Sequence, residues 1–327
     1  MKGVYIMKLG VLTVPLGGMS LAEAAKYLKS LGVQALEIGA GGFPGKAHLD
    51  PEKLLGNKAA IDEVKKIIKD NGLEISVLST HGNALHPNKE IAKQFHDDFE
   101  NTVKLAHELE VDTVVTFSGC PGDCDESKHP NWVTCPWPED FLEILDYQWN
   151  EKLIPYWQKE VEFTKKYGVD KIAFEMHPGF CVYNPTTLLK LREAVGPEIG
   201  ANFDPSHLIW QGIDIPSAIR ALKGAIYHFH AKDTKIYKPV ADVRGVLDTN
   251  HYGDEINRSW IFRALGYGND YAYWKDIIST LRLVGYEGAV SIEHEDSLMS
   301  SKEGLEKAIT FLKECIINET PGEMFWA

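Results

Sequence analysis

Four apolar runs in the second half of the chain end abruptly in residues that bind cations or move protons. Ile199-Gly-Ala-Asn-Phe-Asp204-Pro-Ser-His207 stops in an aspartate, a proline and a histidine. The run from Lys171 to Phe174 delivers Glu175 and, two residues on, His177. The run from Ala225 ends at His230, with Lys232 and Asp233 just beyond, and Ala289-Val-Ser-Ile292 leads into Glu293, Glu295 and Asp296. Glu175, Asp204, His230 and Glu293 offer three carboxylates and one imidazole. That donor set suits Mn²⁺, Mg²⁺ or Co²⁺ and also accommodates Zn²⁺, and the absence of a thiolate sets it apart from a structural zinc site. Each residue alone reads equally well as loop solvation, a helix cap or, for His230, a satisfied core side chain. Four at corresponding strand ends are hard to explain as coincidence.

Such residues meet only if the strand ends converge. The first run, Lys8 to Thr13, is short and β-rich, and Ser20 caps a helical pattern (Leu21, Ala24, Ala25, Leu28, Leu31) that stops at Gly32. Ala35–Gly39 and Ile75–His81 read as strands two and three, with helices at 60–71 and 91–109 behind them. Asp112 to Ser118 is the fourth strand. After it comes a long loop from Gly119 to Trp137 carrying Cys120, Cys124, Trp132 and Cys135, the kind of connection that serves as a lid or binding loop. A helical region over 139–167 precedes strand five, helices at 185–195 and 216–222 flank strand six, and strand seven is 225–230. The stretch 236–270 has no sustained periodicity and reads as a second lid. A helix over 273–284, strand eight over 288–293 and a helix over 303–317 complete the pattern. Eight strand-then-helix units at a spacing of roughly 35 to 40 residues predict a (β/α)₈ TIM barrel with long loops after strands four and seven. An open doubly wound sheet is disfavoured, because Thr13-Val-Pro-Leu-Gly-Gly lacks the glycine spacing of a phosphate-binding fingerprint. Nothing marks a domain boundary, so one barrel domain over 1–327 is expected.

With 327 residues and 44% hydrophobic content the chain can bury a large core. Its formal charge of −13 argues against a nucleic-acid partner, which demands clustered Lys and Arg. Five cysteines without disulfide-like spacing suit a reducing compartment. No run approaches the roughly 20 apolar residues of a membrane span, and the N-terminal run is too short for a signal peptide, so a cytoplasmic location is expected.

With these strand ends in place the chain resembles the xylose isomerase-like barrel superfamily, in particular the sugar phosphate isomerase/epimerase group that includes the ketose 3-epimerases. The likeness covers Lys8 to about Ile316. It rests on Glu175, the Asp-x-x-His from Asp204 to His207, His230 and Glu293. The resemblance implies one divalent metal held by that quartet, Mn²⁺ foremost, with His207 as a substrate contact and Glu175 and Glu293 as the catalytic pair. It implies an isomerase or epimerase of carbohydrate metabolism that acts through a metal-bound enediolate on a ketose, a keto-sugar or a polyol, with homo-oligomers compatible with the fold.

Two positions depart from the epimerase pattern. Cys181 stands where a carboxylate is expected six residues after Glu175, and Ile236 stands where an arginine is expected six residues after His230. The substrate shell is therefore the chain's own, drawn from His81, His177, Lys232 and an aromatic wall from Trp132 and Trp137. Lys232 either orients an oxyanion or pairs with Asp233 or Glu295, and Glu295 and Asp296 otherwise read as solvated rim charges. The alternative activity is a lyase, dehydratase or keto-glycoside-cleaving enzyme on the same platform, since elimination begins with the same deprotonation. An endonuclease IV-like repair enzyme fits less well. That cousin has a histidine ending strand four, where this chain has Ser118-Gly119, and an Asp-x-His after strand seven, which the Asp248-to-His251 spacing does not supply. Cys120, Cys124, His129 and Cys135 match no common zinc-finger spacing.

Overall fold

Apolar runs too short for helices alternate with amphipathic segments that carry their own stop signals, and this alternation builds the structure. The computed structural model of the chain describes residues 6–320 and 322–326. The strands are β1 (Lys8–Leu12), β2 (Ala35–Gly39), β3 (Glu74–Ser79), β4 (Thr113–Thr116), β5 (Lys171–Glu175), β6 (Ile199–Phe203), β7 (Ile226–Ala231), β8 (Asp233–Ile236), β9 (Trp260–Arg263) and β10 (Ala289–Ile292). Eight of them close a barrel in the order β1-β10-β7-β6-β5-β4-β3-β2, and every neighbouring pair is parallel. The expected strand eight is thus β10. Because parallel strands in a barrel are covered on both faces, β2 and β6 are buried along their whole length.

Side-chain caps fix where the outer helices begin. Ser20 and Glu23 form a capping box on the helix Leu21–Ser30, and Asn184 caps Pro185–Val195. Between helices and barrel lies a continuous apolar cluster. Trp157, from the helix Ile154–Lys166, packs edge-on against Phe99 and against Phe174 of β5, with centroids 5.4 and 4.5 Å apart.

The two long connections are built differently. Residues 117–139 contain no helix or strand, but two buried amides pin the segment. Asn83 holds Cys120 at both N and O (2.9 Å each), and Gln148 donates to the carbonyls of Pro121, Gly122 and Asn131. Gln148 lies in a π-helical stretch, Tyr147–Leu153, set inside the expected long helix. The connection after β7 carries regular elements that its lack of periodicity did not show, although 245–259 is largely irregular. β8 and β9 pair antiparallel and enclose the helix Lys238–Arg244. Strands of four residues with mixed composition are too short to show a period.

One buried acid lies outside the barrel. Glu160 is 5% exposed, its Oε1 is 3.6 Å from His96 Nδ1, beyond hydrogen-bond range, and its Oε2 has no hydrogen-bond partner among the described residues. Burial, reinforced by the nearby Glu100, raises its pKa to about 7. Between the unperturbed 4.5 and about 7 the folded state holds a proton that the unfolded chain has released, so this group makes stability fall as pH rises through that window. Glu160→Gln should therefore raise Tm by about 2–4 °C at pH 8 and leave it unchanged below pH 4.5. Equal gains at both pH values would exclude this origin.

Candidate metal and substrate site

Register brings the strand ends together. Glu175 pairs with Asn202, Asn202 with His228, and His230 with Ser291 across β5, β6, β7 and β10. Asp204 caps the short helix Pro205–Ile209 through Oδ1 on the Ser206 amide (2.8 Å). One ligand atom from each of Glu175, Asp204, His230 and Glu293 lies within 4.8 Å of the others. His230 Nδ1 is 3.0 Å from Glu293 Oε2 and 3.3 Å from Glu175 Oε2.

Around this cluster the donors are densely placed. Glu175 accepts from His81 Nε2 and His207 Nε2, each at 2.9 Å, and from Asn202 Nδ2 at 3.2 Å. Lys232 is 2% exposed, and its ammonium lies 2.7 Å from Glu293 Oε2, 2.9 Å from Glu295 Oε2 and 3.0 Å from Asp204 Oδ2, under the Phe262 ring at 4.7 Å. Asp233, the other partner considered for it, turns away to accept from the amides of Gly266, Gly268 and Asn269 and from Trp274 Nε1. Asp296 is no solvated rim charge either. It is buried and takes hydrogen bonds from Arg263 and the Ala264 amide.

The donor set fits a divalent cation. Glu175, Asp204 and Glu293 bring three carboxylates into a buried site where, among the described residues, Lys232 is the only lysine or arginine lining the cavity. Asp204 Oδ2 has no well-formed hydrogen bond among the described residues, only the ionic approach of Lys232 and, at 3.1 Å, of His207. The local pKa shifts follow from this excess of negative charge. Burial alone would discharge His207, but the adjacent Asp204 carboxylate overrides it and lifts the pKa to about 9. Burial likewise opposes the charge on Glu293, yet Lys232 and His230 hold its carboxyl below the usual range, and His81 and His207 do the same for Glu175. His177 goes the other way, down to about 3, because burial and the neighbouring His207 both disfavour its cation.

A cavity of about 140 Å³ opens onto the cluster. One wall is polar, from His81, Glu175, His177, Lys232, Glu293 and Glu295. The other is apolar, from Leu12, Val14, Phe43, Pro44 and Phe117. Phe117 stacks on Phe180 with centroids 4.2 Å apart. Phe43 is set by the tight turn at Gly42, whose φ is +60° and where a Cβ would lie 2.0 Å from the His81 carbonyl oxygen. A wider outer groove of about 670 Å³, beside Tyr271 and Phe311, shares no lining residue with this cavity.

Of the residues singled out in the sequence, Glu175, Asp204, His230, Glu293, His81, His177, His207 and Lys232 converge here. Trp137 does not: it is 75% exposed and lines no part of the cavity, while Trp132 borders a separate pocket with Cys120 and Cys181. Phe43 and Phe117 supply the aromatic wall instead. Among the cysteines Cys120 is buried and Cys124 and Cys135 are exposed, and they join none of the metal-competent clusters among the described residues. Sequence reading missed Glu37 and His228. Glu37 sits in the middle of Ala35-Leu-Glu-Ile-Gly39, and a charged residue inside a fully buried strand must be paired. His228 and His230 are two apart and face the same way along β7.

Closed parallel barrel, strand-end carboxylates and imidazole together define a class of barrel protein that works at its C-terminal rim. Residues 25–315 match the xylose isomerase-like TIM barrel family, and the chain belongs to it. YfiH of Bacillus subtilis, an uncharacterized protein, is 38% identical over 312 residues, 95% of this chain and 99% of that one. Among solved structures, a D-tagatose 3-epimerase-like protein superposes with a TM-score of 0.63 at 21% identity, covering 94% of this chain and 98% of its own. The probable 3-DHS dehydratase AsbF of Bacillus anthracis, involved in petrobactin synthesis, gives 0.65 at 18%, covering 94% and 99%. At these identities the structural matches establish the shared fold. No helix among the described residues is long and apolar enough to cross a membrane.

Lys232 compensates buried carboxylates, and removing one partner of such a group leaves unpaired charge behind. Lys232→Met, measured in chelator, should lower the unfolding free energy by about 3–5 kcal/mol. A variant as stable as wild type in denaturant titration would show that the ammonium does not hold these carboxylates.

Proposed function

We propose that the protein is a divalent-metal-dependent isomerase or epimerase that relocates a proton on the carbon beside a carbonyl of a ketose, keto-sugar or polyol. The observation that carries this reading is the placement of Glu175 and Glu293 on the same small cavity, with Asp204 and His230 completing a four-donor cluster. Glu175, Asp204, His230 and Glu293 would hold the cation, Mn²⁺ foremost. When bound, it supplies Lewis-acid stabilisation of the negative charge that develops on substrate oxygens as the proton leaves.

The chain's own residues then have separable tasks. Glu175 and Glu293 are both held ionised, so either can take the proton, and the carboxyl that returns one must first have gained it, from the substrate or from water. His207, which is buried and does not line the cavity, and His81 orient Glu175 through its two oxygens, and neutral His177, which does line it, bonds a substrate hydroxyl. Lys232 holds Glu293 and faces the cavity as a fixed positive charge. The apolar wall of Phe43 and Phe117 offers a face for the C–H side of a sugar.

One observation favours elimination as a second reading. Cys181, at the position of the expected extra carboxylate, lines a different pocket beside Cys120, while the Lys232 ammonium sits next to Glu293, where a leaving oxygen could be steadied. Incubating the Mn²⁺-loaded enzyme in D₂O with ketoses, keto-inositols and 3-keto glycosides, followed by NMR, separates inversion, isomerisation and cleavage. On whichever substrate reacts, Glu175→Gln and Glu293→Gln should each abolish deuterium incorporation at the reacting carbon. Exchange that persists in both variants would remove the two glutamates from the chemistry.

A further inference from the structure

Glu37 is fully buried within the barrel, and its carboxylate receives as many donors as it can take. Oε1 accepts from Ser79 Oγ at 2.5 Å, and Oε2 from Ser291 Oγ at 2.7 Å and His228 Nε2 at 2.8 Å. His230 Nε2 lies 2.9 Å from both oxygens. Two hydroxyls and two imidazole N–H groups fill the roughly four lone-pair sites of a carboxylate. Glu37, His228 and His230 are close enough to suggest a second cation site. The saturation of Glu37 argues against it, since a cation there would have to displace hydrogen bonds that are already short.

The consequence falls on His230. A neutral imidazole has one N–H and one lone pair, and the nitrogen that donates leaves the other to accept or to ligate. With Nε2–H given to Glu37, the lone pair is on Nδ1, the nitrogen that faces Glu175 and Glu293 at 3.3 and 3.0 Å. A lone pair aimed at two carboxylates is unfavourable, so either a second ring proton, as in the metal-free protein, or a bound cation lies between them. We propose that Glu37 is the positioning residue of the metal centre: it fixes the ring orientation of His230 and its Nε2–H tautomer, so that Nδ1 is the ligand atom. This rests on the metal reading of the site given above. Carboxylates that hold ligand histidines in this way are worth about 10–100-fold in metal affinity.

A glutamine cannot take over this role. Because His230 Nε2 lies 2.9 Å from both carboxylate oxygens, the NH₂ group that replaces either of them faces that nitrogen, and a donor there opposes the Nε2–H tautomer and favours a proton on Nδ1.

The experiment is Mn²⁺ titration calorimetry of wild type, Glu37→Gln and His228→Gln, together with ¹⁵N NMR of the histidine rings in Zn²⁺-loaded wild type. Glu37→Gln should bind Mn²⁺ about 10–100-fold more weakly. His228→Gln keeps a donor for Glu37 and leaves the Glu37–His230 bond in place, so its affinity should match wild type. The His230 ring of the loaded wild type should carry its proton on Nε2. Wild-type affinity in folded Glu37→Gln, or an equal loss in His228→Gln, would overturn the assignment while leaving the metal reading intact. Wild type that binds no Mn²⁺ would overturn both. Should Glu37→Gln not fold, Glu37→Asp, which withdraws the carboxylate by one methylene, takes its place with the same expected direction. The wild-type tautomer decides independently, because a proton on Nδ1 in the loaded protein contradicts the proposal.

Discussion

The central physical constraint in this protein is an excess of negative charge buried at one end of a parallel barrel. Glu175, Asp204 and Glu293 are placed by the backbone of three different strands, so none can move away from the others without unpicking the sheet. Carboxylates crowded out of water must be neutralised, and the surroundings are arranged accordingly. Lys232 is drawn between Asp204 and Glu293, His81 and His207 donate to Glu175, and His207 is held as a cation. The same arrangement is the donor set that the proposed divalent cation would take.

A second layer of buried polarity lies among the inner strands. Glu37 ties β2 to β7 through two histidines and to β3 and β10 through two serines, and these short bonds join strands that are not all sheet neighbours. The outer loops are fastened in a comparable manner. Asn83 and Gln148 bond the backbone of the segment after β4 from inside, and Asp233 gathers the backbone amides after β9. Segments with little regular structure are thereby tied to the rest of the fold by buried side-chain hydrogen bonds.

Much of this was legible in the chain itself. The alternation of short apolar runs with capped helical patterns gave the closed barrel, because the spacing of Ser20, Asn184 and the stop glycines is a local matter of backbone hydrogen bonding. The placing of Glu175, Asp204, His230 and Glu293 after equivalent strands was enough to bring them to one rim, since a parallel barrel delivers all its strand ends to the same side. The β8–β9 ribbon was not legible, for its pairing partners are separated by the whole segment 237–259 and each strand is four residues long. Nor was the direction of Trp137, whose type suggested a sugar-stacking wall while its loop carries it into solvent.

What the sequence by itself determined was the barrel and the identity of the groups at its rim, because both follow from local periodicity and from one rule of topology. The tertiary structure alone decided which groups act together. Lys232 chose Asp204, Glu293 and Glu295 over its neighbour Asp233, Asp296 went inward to Arg263, and Glu37 met His230 from 193 residues away. These pairings depend on which way each side chain points among elements that only the closed fold brings together, and no stretch of sequence contains that arrangement.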